Sequence, residues 1–247
     1  LVLALPLSFL FIRDDPAERG IQPDGDPGQP EDSHGGVPST RQNGPYEVDS
    51  WKESLQTPPM WQLSASYVVC GITTGIISTH FVPFAIDRGV SPTMAATIFG
   101  VMMALNVVGG LGAGMLSDRF RRKNILAFVY LLRGLAFVAL LAIPSTWGLW
   151  AFAVAAGFSW VASVPLTASL TADVYGLRAL GTINGISFLC HQIGSFVMIL
   201  LGGVLYDVTG SYTLPFAIAG LFLFPAAFVA FTIQEGKYSA RYSVLPV

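Results

Sequence analysis

The sequence predicts an all-α membrane protein with six transmembrane helices. Three observations predict it: six long apolar stretches follow Pro59, the ionisable residues are confined almost wholly to the gaps between them, and glycine is abundant. A bilayer core about 30 Å thick takes about 20 residues of helix to cross, and a charge left at its centre costs several kcal/mol. Of 247 residues, 53% are hydrophobic and 11% charged, and the mean hydropathy is +0.60. A soluble domain carries about a quarter charged residues. The 26 glycines suit close helix approach in lipid, where no hydrophobic effect drives helices together.

The spans are expected at Met60 to Ile86, Thr93 to Leu116, Ile125 to Ile143, Trp147 to Ala172, Ile183 to Leu205 and Leu214 to Ile233, a bundle over 59–234. Ahead of them, residues 1–12 form an apolar run with no basic stretch before it and no small-residue cleavage site after it. It is read as the end of a truncated transmembrane helix rather than a signal peptide. Residues 13–58 are rich in Pro, Gly, Asp and Glu and bury too little apolar area to offset ordering entropy, so a disordered loop is expected there. Residues 235–247 form a tail.

The links between spans alternate in charge. Arg13, Arg19, Arg41, Lys52, Arg119, Arg121, Arg122, Lys123, Arg178, Lys237 and Arg241 fall on one side, with Arg88 alone opposite and Arg133 inside a span. The positive-inside rule then places the loop 13–58 and the C-terminus in the cytoplasm of a protein embedded in the plasma membrane. Membrane lipid is the expected partner and nucleic acid is excluded, because the cations are scattered and no aromatic basic patch exists. Cys70 and Cys190 both fall in apolar stretches, as buried thiols do. No G-x-S-x-G, H-E-x-x-H or paired membrane aspartate is present, so an enzyme is not expected and no cofactor is called for.

Between the second and third spans the chain reads GMLSDRFRRKN, with Gly114, Asp118, Arg119, Arg122 and Lys123 in fixed spacing. This resembles the G-x-L-x-D-R-x-G-R-R/K signature of the major facilitator superfamily, which follows the second helix of each six-helix half. Arg121 stands where that signature usually has Gly. The resemblance implies the six-helix C-terminal half of a twelve-helix major facilitator fold, plus the end of a preceding helix, with an N-terminal six-helix half as partner. It also implies a cytoplasmic gate containing Asp118 and Arg119. Physically, an aspartate at a helix end can accept from the exposed amides of another helix, and neighbouring cations can lock to carboxylates or carbonyls. Asp173 and Arg178, in TADVYGLRALG at the next basic turn, are the expected partners of Asp118.

Two stretches, THFVPFAIDRGVSPTMAATIFGVMM and ADVYGLRALGTINGISFLCHQIGSFVMILLGGVLYDVTGSY, are similar to the monocarboxylate transporter and oxalate/formate antiporter branches. The resemblance implies secondary transport of a small organic anion by alternating access. Monocarboxylate carriers often place an Asp and an Arg one turn apart on the helix that ends in the signature, and the aligned positions here hold Asn106 and Gly110. The usual proton-and-anion pair is therefore absent, which leaves open efflux of drugs or other hydrophobic compounds, or a non-transporting sensor of the same fold.

Polar residues inside the spans are the candidate pathway. Asn184, Ser187, His191 and Ser195 recur at helical spacing on one face of the fifth span. His191 falls near its midpoint and can change protonation near neutral pH. Thr74 and Ser78 share a face of the first span with Gly71, and Ser159, Ser163 and Thr167 share a face of the fourth. Such residues also serve as interhelical hydrogen-bonding groups, or bond back to the preceding turn. Arg133 is the one formal charge deep in a span, in FVYLLRGLAFV. Its guanidinium must face protein, water or an anion, and a structural partner is preferred because the third helix of each half is a peripheral scaffold in the resembled family.

Overall fold

The computed structural model describes residues 45–235, which lie within the unit Arg41–Val247. The expected helix end at 1–12, the loop up to residue 44 and the tail beyond 235 fall outside the described residues. Eight helices occur among them: α1 (Trp51–Ser54), α2 (Pro58–Asp87), α3 (Pro92–Arg119), α4 (Arg122–Ala142), α5 (Thr146–Ser159), α6 (Ser163–Tyr175), α7 (Leu180–Thr209) and α8 (Thr213–Thr232). Six spans are long and apolar enough to cross a bilayer, with α5 and α6 together forming the fourth, Thr146–Tyr175.

Helix ends follow from local sequence. Pro58 starts α2 and Pro92 starts α3, where a missing N–H costs nothing, and the Ser91 hydroxyl caps α3 by accepting from Met94 N at 3.3 Å. At the far end of α7, Gly210 adopts φ +67° and its N–H reaches the Tyr206 carbonyl at 2.7 Å, closing the helix in the left-handed region that favours glycine. The turn between α3 and α4 is only Phe120 and Arg121, with φ of −117° and −60°. Both angles suit any L-residue, so the Arg in place of the signature's Gly carries no backbone strain.

Two features depart from the sequence expectation. Residues 45–57, assigned to the disordered loop, are ordered against the bundle: Val48 and Ser54 are buried and the Tyr46 amide donates to the Val174 carbonyl at 3.1 Å. The fourth span is also not one regular helix: its hydrogen-bond ladder is interrupted at Trp160–Ala162, although Trp160 and Ala162 keep right-handed helical dihedrals. Pro165 has no N–H to offer the Val161 carbonyl one turn back. Proline alone does not explain the break, since Pro83 and Pro225 sit inside α2 and α8 without interrupting them.

Packing pairs α2 with α7, α4 with α8, and α3 with α5. The α2–α7 contact is backbone against backbone. A Cβ on Gly71 would collide with the His191 carbonyl oxygen, one on Gly75 would lie 2.6 Å from the Ser195 carbonyl, and one on Gly194 would meet the Val68 carbonyl. Small residues bring membrane helices close enough for dispersion to hold them. Aromatic rings fill the opposite side of the bundle: Phe81 and Phe137 flank Phe152 at 5.4 and 5.1 Å, and Phe84 stacks on Phe216 at 4.5 Å. These rings tie α2, α4, α5 and α8 together. At the same end Arg88 caps α4 by donating to the Leu140 carbonyl at 2.7 Å.

Gly71→Ala is expected to lower the melting temperature in detergent by several degrees, since the new methyl meets carbonyl rather than a movable side chain and overpacking costs about 1–3 kcal/mol. Leu135→Ala, on the exposed face of α4, should stay within about 0.5 kcal/mol of the parent. Thermal unfolding of both variants checks the difference.

Candidate functional site

The break between α5 and α6 is the polar centre of the bundle. Where the helix stops, the carbonyls of Ser159 and Trp160 lose the backbone donors that a continuous helix would supply. Arg133 of α4 replaces them. It is 0% exposed, and one of its terminal nitrogens donates to the Ser159 carbonyl, to the Trp160 carbonyl at 2.7 Å and to the Ser163 hydroxyl at 3.1 Å. The other donates to the Thr73 hydroxyl at 3.1 Å and approaches the Cys70 sulfur at 3.7 Å. Two carbonyls at a helix C-terminus carry the negative end of its dipole, so they suit a cation in a way isolated carbonyls do not.

Three other side chains complete the knot. The Asn106 side-chain oxygen accepts from Val161 N at 2.9 Å, while its amide donates to the Met102 carbonyl at 3.1 Å. The Trp160 indole donates to the Thr74 hydroxyl at 2.9 Å, and the Ser163 hydroxyl donates to the Trp160 carbonyl at 2.8 Å. Residues from α2, α3 and α4 therefore converge on the three residues where the backbone ladder is interrupted. Ser159 and Thr167 bond back to carbonyls one turn earlier, Ala155 at 2.9 Å and Ser163 at 2.8 Å. Six residues expected along the pathway, Arg133, Asn106, Thr74, Ser159, Ser163 and Thr167, are thus hydrogen-bonded to protein, with only Arg133 Nε among their buried side-chain polar atoms left without a partner among the described residues.

The second group lies where α7 meets α2. His191 is 5% exposed, its ring stacked on Phe188 at 5.5 Å and tilted against Tyr67 at 4.9 Å, with Nδ1 3.0 Å from the Gln192 side-chain oxygen. Ser187 is buried and its hydroxyl has no hydrogen-bond partner among the described residues. Asn184 and Ser195 are half-buried on the same face, and Ser78, exposed on α2, bonds back to the Gly75 carbonyl at 3.3 Å. His191 and Ser187 thus face into the bundle, and Asn184 and Ser195 beside them reach the edge of a span that is largely uncovered.

The signature loop forms a third cluster at the basic end. Arg122 pairs with Asp173 at 2.6 Å and donates to the Ser169 carbonyl at 3.0 Å. The carboxylate that accepts from the first amides of α4 belongs to Glu235, which takes Arg122 N at 3.0 Å and Lys123 N at 3.3 Å. Asp118, expected in that role, is exposed near the end of α3 together with Gly114 and Arg119. Arg178, expected opposite Asp118, pairs instead with Asp49 in the segment before α1, and both side chains are well exposed. Glu235 was invisible because a carboxylate two residues past a span reads as tail. Pro165, with serine on either side of the break, was the available sign of the interrupted helix.

Comparison with known proteins identifies the class. The sequence profile described as Major Facilitator Superfamily matches residues 1–199 and 64–243, and the chain belongs to that superfamily of membrane transporters. With six apolar spans, it is a multi-pass integral membrane protein. It is 31% identical over 77% of its length to the uncharacterized MFS-type transporter YcxA of Bacillus subtilis, covering 48% of that protein. It is 28% identical over 76% of its length to monocarboxylate transporter 12-B of Danio rerio and 29% over 79% to monocarboxylate transporter 12 of Rattus norvegicus, covering 40% and 44% of them. The chain thus spans about half the length of the curated relatives it matches. The fold matches the crystal structure of FucP, an MFS transporter in the outward conformation, with TM-score 0.62 and 19% identity over 76% of this chain and 46% of that one.

Arg133→Ala should cost roughly 3–5 kcal/mol, because it opens a cavity and orphans two carbonyls in a dry interior. Glu235→Ala, which removes a helix-end acceptor at a half-exposed site, should cost about 1 kcal/mol. Detergent-phase unfolding of the two variants checks this order.

Proposed function

We propose that this chain is one lobe, the C-terminal half, of a secondary transporter for small organic anions of the monocarboxylate type, working by alternating access with a second six-helix lobe. The similarity to proteins named monocarboxylate transporter 12, over two thirds or more of this chain in several vertebrates, carries the reading. The exposed apolar faces of α3 and α7, the two least buried spans, supply surface for lipid and for the second lobe. Val107, Val108, Leu111 and Met115 on α3 and Ile193, Val197 and Leu200 on α7 belong to those faces.

In this reading His191, Ser187, Asn184 and Ser195, with Ser78, line the solute pathway, and Thr74 borders it through Trp160. Arg133, Asn106, Ser159, Ser163 and Thr167 support the pathway wall rather than touch the solute. The basic end, with Arg122 and Asp173 paired and Gly114, Asp118, Arg119, Lys123 and Arg178 around them, serves as a gate. The excess of cations there supports a cytoplasmic position for that end, for the loop 13–58 and for the C-terminus, in the plasma membrane.

Asn106 holds backbone, and a Cβ on Gly110 would meet open space. Neither supplies an ionisable pair, so any coupling acid would belong to the other lobe. The same neutrality favours one second reading, efflux of hydrophobic compounds.

Flux into liposomes carrying the complete transporter separates the readings. Uptake of a labelled monocarboxylate should be competed by other short organic acids and fall at least tenfold in His191→Leu. Transport of a solute that no organic acid competes with would support the efflux reading. Solute binding without flux would overturn transport in favour of a sensor.

A further inference from the structure

We propose that Gln192 is the residue of α7 that binds the solute carboxylate, that His191 positions it, and that the exposed Phe188 ring beside it selects monocarboxylates carrying an aryl group. The inference rests on the organic-anion reading and narrows its substrate. His191 is too enclosed to make the contact itself. It is 5% exposed, its ring is held between Tyr67 and Phe188, and its carbonyl packs on Gly71. Gln192, next in the chain, is exposed.

The bond between the two side chains has only one sense. An amide oxygen accepts and never donates, so His191 Nδ1 carries the proton that it gives to the Gln192 side-chain oxygen across 3.0 Å. With its oxygen held, the NH2 of Gln192 is the end left to project. A primary amide exposed on a membrane span is costly against hydrocarbon, so it must meet water, protein or solute. Its two N–H donors suit the oxygens of a carboxylate.

Phe188 supplies the apolar half of the site. By helical spacing Asn184, Ser195, Phe188 and Gln192 fall within about 80° of the α7 circumference, one continuous strip beside the contact with α2. The Phe188 ring is 44% exposed although it is stacked on His191 with the two planes 5° apart, so its other face is open. Four residues separate it from Gln192, a step of about 6 Å along the axis. A short acid bearing a phenyl group can therefore lay its ring on Phe188 while its carboxylate reaches Gln192, and flat rings gain more from such stacking than from area alone. Asn184, half-buried, offers a polar side chain one turn beyond the ring.

The test is binding of three labelled acids, lactate, phenyllactate and cyclohexyllactate, to the complete transporter. They share a head and differ in the body. Phenyllactate should bind about tenfold more tightly than lactate and about threefold more tightly than cyclohexyllactate. Phe188→Leu should erase the preference for phenyl over cyclohexyl, and Gln192→Leu should weaken all three acids about tenfold. Gln192→Glu keeps an acceptor for His191 but sets a carboxylate against the solute, so it should abolish binding without lowering the melting temperature. In the Gln192→Leu background, His191→Leu should add little further loss. Additive losses would give His191 a contact of its own and overturn its positioning role. Equal affinity for phenyllactate and cyclohexyllactate, or acid binding that survives Gln192→Glu, would overturn the inference while the organic-anion reading stands. Binding of none of the three, with no other organic acid bound either, would overturn both.

Discussion

The hydrogen bonds from Arg133 to the carbonyls at the end of α5 are the constraint on which the interior of this bundle depends. A continuous helix satisfies its own backbone, and hydrocarbon tolerates nothing else unless the irregular part is enclosed in protein. Breaking the fourth span at its centre leaves acceptors with no water to turn to. A guanidinium is suited to the place because its fork reaches several acceptors at once. The cation and the helix break stabilise each other, and either alone would be a costly defect.

That mutual dependence explains why the neighbouring polar residues are where they are. Asn106, Thr74 and Ser163 look on sequence like pathway residues, since serine, threonine and asparagine in a transporter's spans are the natural candidates for solute contact. In the bundle they face the break and complete its hydrogen bonding. What is left without a bond of this kind is the Ser187 hydroxyl, buried on the α7 face that also carries His191, where packing against α2 is close at Gly71 and Gly194.

Much of the fold was legible because lipid leaves few solutions. Hydropathy located all six spans, with every end within a few residues of its expected place and the largest overrun at Thr209, where α7 continues past the expected Leu205. The Asp118 signature pointed to the family, while Arg133, named on sequence both as a pathway residue and as a group needing a structural partner, is bonded to Thr73, Trp160 and Ser163. The break was not legible, because Pro83 and Pro225 demonstrate that proline in a membrane helix is compatible with continuity. Only the third dimension shows which proline is met by an arginine and an asparagine from other helices. The capping by Glu235 was hidden for the same reason: the partners are more than a hundred residues apart.

The two ends of α6 also account for a departure that sequence alone made look like a weakness. With arginine in place of the signature's glycine, the α3–α4 turn needed no unusual backbone angle, so the position was free to carry charge. The consequence is a denser basic cluster beside a pair, Arg122 and Asp173, that is already tight and mostly buried. A carboxylate from beyond α8 and one from α6 both answer that cluster, which draws three parts of the chain distant in sequence to one end of the bundle. The arrangement places fixed charge where it can be rearranged by small side-chain motions, and keeps the immovable charge, Arg133, at the centre where nothing exchanges with water.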